Sequence, residues 1–401
     1  MRKTNVSRRS FLGGSVALIG LGLAGCGSKD NSKTKSGSAA KASDKKVAIV
    51  CDAAGKNDNG FNQQAIEAAQ AVCDENGWEL NVIEPTNGLP AALETLGEEG
   101  YNLVFNMQYD FEALINGTGG ASPLAEQYPD TTWVVFNDNP NVDKSGKLIH
   151  KNVISVLFNM NENSYLAGAL AVLVNENADK IFAGGNYKFT APDKTRAMGF
   201  IGGTESNGIT VFSYGFVQGM QHEAEKLGVK YDYYTKYDAG FTDTAAGSTT
   251  AGTYYDNGAN IVFVAAGSVG TGVTSKAKEV GKLAIEVDAN KDEDQPGYIL
   301  TSVLKSTNVP AQALCEALGN GSIAEVERVQ YYNLESGAVD LTDFATIEKS
   351  ITSDEGKAKW EEAKQEIATL KKQIIDGDIK VVNAQEGETF DPATCPNVNI
   401  K

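Results

Sequence analysis

One pattern occurs twice along the chain, and it confines the fold to two similar halves: strand, loop, amphipathic helix, glycine, strand. The first copy starts at Val47-Ala48-Ile49-Val50, with a helix start at Gly60-Phe61 and a helix end at Asn76-Gly77-Trp78. It continues through Glu99-Gly100-Tyr101-Asn102-Leu103-Val104-Phe105 to Trp133-Val134-Val135-Phe136, with Asp138 just beyond. The second copy starts at Met198-Gly199-Phe200-Ile201 and passes through Gly215-Phe216 and Leu227-Gly228-Val229. Asn257-Gly258-Ala259-Asn260-Ile261-Val262-Phe263 follows, then Leu283-Ala284-Ile285-Glu286-Val287 and Asp288. Short β-branched runs alternating with helical spacing imply βαβ units, hence parallel sheets covered by helices on both faces. A length of 401 residues accommodates two such lobes. The expected class is α/β, two doubly wound parallel-sheet lobes with a cleft between them, and an aspartate at the same strand end in each.

Element by element, the first half predicts strands over 47–50, 80–83, 103–106 and 133–137, a helix over 62–73, and helical stretches over 91–96 and 111–127. A strand over 153–158 follows, with Asn163-Ser164 placed to cap a helix over 165–174. The second half predicts strands over 198–201, 231–237, 261–265 and 283–287, and helices over 212–226, 244–255 and 273–280. Beyond them come a strand over 298–304, a helix over 310–318 ended by Gly319, and a charged amphipathic helix over 360–375. A crossing near Val156 and a return near Val303 assign 47–157 plus 303–330 to one lobe and 158–302 plus 331–401 to the other. Several connections of this kind form a multi-strand hinge suited to closure around a ligand.

The N-terminus reads as an address. Arg2, Lys3, Arg8 and Arg9 precede an apolar run over 11–24, shorter than the roughly 20 residues a spanning helix needs. Leu23-Ala24-Gly25-Cys26 resembles a bacterial lipobox, with Cys26 as the lipidated mature N-terminus. Ser7-Arg8-Arg9-Ser10-Phe11-Leu12 resembles a twin-arginine export motif. Residues 1–25 are therefore expected to be a signal peptide and 26–46, without an aromatic residue, a tether. The expected location is the outer face of the cell membrane, anchored to the bilayer through lipid on Cys26.

Composition removes several functions. A net charge of −17 leaves no basic stripe for nucleic acid. Cys51, Cys73, Cys315 and Cys395 lack C-x-x-C spacing, so neither a metal nor a cofactor is expected; their three possible pairings stay open. With His150 and His222 as the only histidines, no Ser-His-Asp or Cys-His set suggests itself, and no enzyme is expected.

Ligands in open α/β sheets bind beyond the carboxyl ends of the strands. The side chains there are Asp52, Asp58, Phe61 and Asn62; Asn106, Gln108 and Tyr109; Asn137 and Asp138; Asp238 and Phe241; Gly267, Asp288, Ser302 and Lys305. Carboxylates accept pairs of hydroxyl protons and rings stack on a flat π-face, a mixture suited to a polyhydroxylated ring carrying a base. Lys305, on an otherwise apolar strand, needs a partner.

Asp52, Gly55, Asp58, Phe61 and Asn62 fall in register with the opening pattern of a known family. Tyr165-Leu166-Ala167-Gly168, Gly199-Phe200-Ile201-Gly202-Gly203, Gly215-Phe216, Ala265-Ala266-Gly267, Val287-Asp288 and Thr301-Ser302 before Lys305 extend the match. On these motifs the chain resembles the basic membrane protein family, the purine-nucleoside receptors of ABC transporters, across nearly its whole mature length. The resemblance implies a type I periplasmic-binding-protein fold and a monomer that passes a nucleoside to permease subunits. It also implies a base stacked between Phe61 and Phe241 with Asn62 and Asp138 at its edge. Asp288, Lys305 and the Gly267 backbone would hold the ribose, with Asp52 and Asp58 lining the same cleft. Ala54 and Gly60 depart from the family pattern, as does Ala289-Asn290-Lys291 after Asp288. A pentose or sugar-signal receptor of the same fold and a surface adhesion lipoprotein are the alternatives.

Overall fold

The computed structural model describes residues 45–401. The expected signal peptide, Cys26 and the tether through residue 44 lie outside the described residues. Among the described residues no helix is long and apolar enough to cross a membrane.

The strands in chain order are β1 (Lys46–Val50), β2 (Glu79–Ile83), β3 (Leu103–Asn106), β4 (Thr132–Phe136), β5 (Val153–Phe158), β6 (Ala197–Gly202) and β7 (Tyr231–Lys236). They continue with β8 (Ala259–Ala265), β9 (Leu283–Asp288), β10 (Ile299–Lys305), β11 (Val329–Tyr332), β12 (Val339–Leu341) and β13 (Val398–Ile400). They form two sheets, in the orders β2-β1-β3-β4-β5-β11 and β13-β7-β6-β8-β9-β10-β12. Strip β13 from the second and the two orders correspond strand for strand. Every pairing is parallel except that of β10 with β12. Central strands such as β3, β5, β6 and β8 are buried along their whole length, as parallel strands covered on both faces must be.

The helices are α1 (Phe61–Asn76), α2 (Leu89–Glu98), α3 (Glu112–Ile115), α4 (Leu124–Gln127), α5 (Met160–Glu176) and α6 (Ala178–Ile181). The second half adds α7 (Asn207–Leu227), α8 (Thr244–Asp256), α9 (Val269–Val280), α10 (Asn308–Asn320), α11 (Ala345–Glu348) and α12 (Asp354–Asp376). Four expectations are corrected. The lobe boundaries at 303 and 331 shift, because β10 through Lys305 belongs to the second sheet and β11 through Tyr332 to the first. The stretch 111–127 is two short helices, because Gly117, Gly119 and Gly120 all take positive φ between them. Asn163 and Ser164 lie buried inside α5 rather than capping it, since the helix already begins at Met160. Gly319 lies within α10, where it leaves room for the Trp78 ring, and Gly321 ends the helix in left-handed geometry.

The chain passes between sheets after β5, after β10 and between β11 and β12. After β10, Thr307 Oγ1 donates to Phe61 O at 2.8 Å and Gln64 Nε2 donates to Lys305 O at 3.2 Å. These bonds fasten the second crossing to the first turn of α1. α10 then packs on α1, and α5 packs on α7, so each crossing segment completes the opposite lobe. Cys51, Cys73, Cys315 and Cys395 are all buried free thiols.

Candidate functional site

Between the carboxyl ends of the two sheets lies a narrow cavity of only about 30 Å³. That is far below the roughly 300–1,000 Å³ common for small-molecule sites, so the lobes must part to admit a ligand the size of a nucleoside. Asp52, Asp58, Phe61 and Tyr109 line it from the first lobe, and Phe212, Phe241, Gly267, Asp288 and Lys305 from the second.

The loop after β1 supplies a carboxylate pair held by one amide. Asn62 Nδ2 donates to Asp52 Oδ1 at 2.6 Å and to Asp58 Oδ2 at 3.1 Å, while Asn62 Oδ1 accepts the Asp52 N–H at 3.0 Å. Asp58 also accepts the backbone N–H groups of Gly60, Asn62 and Gln63, so it caps the otherwise open N-terminus of α1. Asn62 is fully buried and its amide fully engaged. It stands behind the cavity as a brace for both carboxylates. Burial pushes the Asp52 carboxyl up to about 6, against the pull of its bonds from Asn62 and Ala54.

Lys305 sits at the seam. It is buried, donates from Nζ to Asn137 Oδ1 at 3.2 Å, and lies 4.0 Å from Asp288 Oδ1. Its ammonium also lies over the rings of Phe212 at 4.7 Å and Phe61 at 5.2 Å, which recovers part of the lost hydration. Burial lowers its pKa while Asp288 and Asp52 oppose that; burial raises Asp288 while Lys305 and Lys291 oppose it. A second buried pair, Lys291 with Glu286 at 3.6 Å, stands beside this one.

Asn137 and Asp288 end the corresponding strands β4 and β9, and both take left-handed φ, 65° and 73°. Asn and Asp are the non-glycine residues that adopt this region most readily, their short polar side chains bonding locally. The structural match between the two halves is therefore Asn137 with Asp288, one residue before the Asp138 expected. Asp138 is exposed, outside the cavity lining, with its carboxylate accepting the Asn139 N–H at 2.7 Å.

The aromatic pair across the cleft also differs from the one expected. Tyr109 and Phe241 lie parallel, 8° between planes and 6.2 Å between centroids. Phe61 meets Phe136 edge-on and is nearly buried, so it is cavity floor as much as wall. Glycines make room for the pair: a Cβ at Gly203 would overlap the Phe241 ring, and one at Gly208 would press on Tyr109 at 3.1 Å. Asn137 Nδ2 donates to the Tyr109 hydroxyl at 3.3 Å. Gly267, at φ 52°, allows a close approach of the two lobes, since a Cβ there would lie 3.2 Å from Ala54 Cβ. Tyr109 stood among the strand-end residues, but its pairing with a ring about a third of the chain away has no sequence signal.

Two α/β lobes of corresponding strand order, with an aromatic and ionic cavity at their facing strand ends, define a two-lobed substrate-binding protein. Residues 45–384 match the Bmp family model, described as "ABC transporter substrate-binding protein PnrA-like", and the chain belongs to that family. Its members serve ABC transporters as substrate-binding proteins and are not enzymes. The "ABC transporter nucleoside-binding protein BmpA" of Lactococcus lactis subsp. cremoris is 30% identical over 95% of this chain and 99% of its own. A "CD4+ T-cell-stimulating antigen" of Listeria innocua is 28% identical over 91% of this chain and 96% of its own. Among solved structures, an ABC transporter solute-binding protein from Aeropyrum pernix K1 superposes with a TM-score of 0.68 at 21% identity, covering 84% of this chain and 93% of that one. The fold is the type I periplasmic-binding-protein fold.

Proposed function

We propose that this protein captures a nucleoside, a purine nucleoside by preference, between its lobes and hands it to the permease of an ABC transporter. The observation that carries the reading is the cavity's division of labour. Phe241 and Tyr109 offer parallel π-faces to a flat base, with Phe61 closing the floor. Asp52, Asp288 and Lys305 offer acceptors and a donor to vicinal hydroxyls, and the Gly267 backbone approaches closely enough to join them. Asp58 and Asn62 hold the carboxylate geometry. Asp138 stands at the rim, where it would meet a base edge only from outside the present lining. The relative named for nucleoside binding supports the same ligand class.

Export, lipidation at Cys26 and placement on the outer membrane face belong to the same reading, as does a monomeric state. The decisive experiment is calorimetry on protein lacking residues 1–26, titrated with inosine, guanosine, adenosine and ribose. Nucleosides bind more tightly than ribose if the rings recognise a base. Ribose binding as well as any nucleoside would instead establish the pentose receptor.

A further inference from the structure

Away from the cleft, a second cluster of ligating groups joins α7 to α12. His222 and Glu223 on α7 and Glu366 on α12 each bring one ligand atom within 4.8 Å of the others. Glu223 is 0% exposed, yet neither of its carboxylate oxygens has a hydrogen-bond partner. A buried carboxylate without donors is costly, and in native proteins such a group commonly marks an ion or water. The positive charge now nearest is the Lys226 ammonium, 3.7 Å from Glu223 Oε1 and 2.8 Å from Glu366 Oε1. Half of the Lys226 side chain is exposed, so the ammonium can swing into solvent on its flexible stem. The Tyr165 ring stands edge-on to His222 at 5.9 Å and walls one side.

We propose that His222, Glu223 and Glu366 bind a first-row divalent cation, zinc by preference, which staples α12 to α7 in the second lobe. One imidazole and two carboxylates make a nitrogen–oxygen donor set of the kind zinc accepts. Ligands about 2.0–2.2 Å from tetrahedral zinc sit roughly 3–4 Å apart, so the three side chains need to draw in only slightly. Water takes the fourth position. Lys226 is then the competitor, holding the two glutamates together until the metal displaces it. The ligands come from two helices far apart in the chain, so no spacing motif announces them. The site is separate from the nucleoside cavity and does not depend on the reading of it.

The test is zinc competition against a chromophoric chelator, using residues 27–401, which contain both lobes. Wild type, His222→Ala, Glu366→Gln and Lys226→Met are compared. One zinc per chain is expected, with affinity at least about tenfold weaker in His222→Ala and in Glu366→Gln. Lys226→Met binds zinc more tightly than wild type, because the competing ammonium is gone. Zinc raises the melting temperature of wild type but not of His222→Ala, and unaltered melting without metal verifies that the variants fold. No saturable binding below about 100 μM zinc, corresponding to a binding free energy weaker than about −5.5 kcal/mol, overturns the proposal. So does binding that both His222→Ala and Glu366→Gln leave unchanged, or a Lys226→Met protein that binds no better than wild type.

Discussion

At Lys305 a single ammonium reaches an amide from the first lobe and a carboxylate from the second. Lys305→Met keeps the length but leaves Asp288 buried without its countercharge, a change that costs roughly 3–5 kcal/mol for buried pairs. Denaturant melts should show that loss, and calorimetry should show nucleoside binding abolished. Asp52 behaves differently, because its folded carboxyl is raised to about 6 and binds protons that the unfolded chain has released. Its contribution to stability is present at low pH and is lost as pH rises from the ordinary carboxylate range through about 6. Asp52→Asn should therefore flatten the decline in melting temperature over that window. Nucleoside affinity moves the other way in wild type, falling as pH drops through about 6 and the hydroxyl-accepting carboxylate is protonated. Phe241→Ala should weaken nucleoside binding by roughly 1–3 kcal/mol, and Tyr109→Ala comparably, the range for base stacking on aromatic side chains. Phe61→Ala should also lower the melting temperature, since that ring is core as well as wall. Of the nine site residues expected from the sequence, seven line one cavity, whereas Asn62 lies behind it and Asp138 outside it. It shifted the strand-end match by one because Asn137 and Asp138 both look like turn residues, and only the backbone φ tells which is held.

Helix contact explains sequence features that carried only a family likeness. α5 and α7 lie so close that a Cβ at Gly168 would overlap the Phe216 carbonyl and one at Gly219 the Tyr165 carbonyl. Gly168→Ala or Gly219→Ala forces these helices apart and should destabilise the second lobe by about 1–3 kcal/mol, as overpacking does, measurable by thermal melts. Strands β3 and β5 were legible to the residue because buried parallel strands are continuous apolar runs bounded by polar turns. β11, β12 and β13 were not. They are three or four residues long at sheet edges, and Val329-Gln330-Tyr331-Tyr332 or Val398-Asn399-Ile400 alternates too briefly to stand out. Apolar residues on both sides suggest one helix over 111–127, but Asn116-Gly117-Thr118-Gly119-Gly120-Ala121-Ser122-Pro123 between α3 and α4 is a run of turn-forming residues.

At the scale of the molecule, three crossings tie the lobes, so closure is a rotation about one seam rather than free movement of two bodies. The proposed anchor acts at this scale too. Cys26→Ser should shift the protein from the membrane to the soluble fraction on cell fractionation, and unchanged retention would refute lipidation there. The paired left-handed corners carry a historical consequence. If the halves descend from one duplicated ancestor, Asn137 and Asp288 occupy what was once a single position, now an amide in one lobe and a carboxylate in the other. Lys305 issues from only one copy and reaches both, so the two corners of an otherwise symmetric cleft carry different charge and cannot exchange roles.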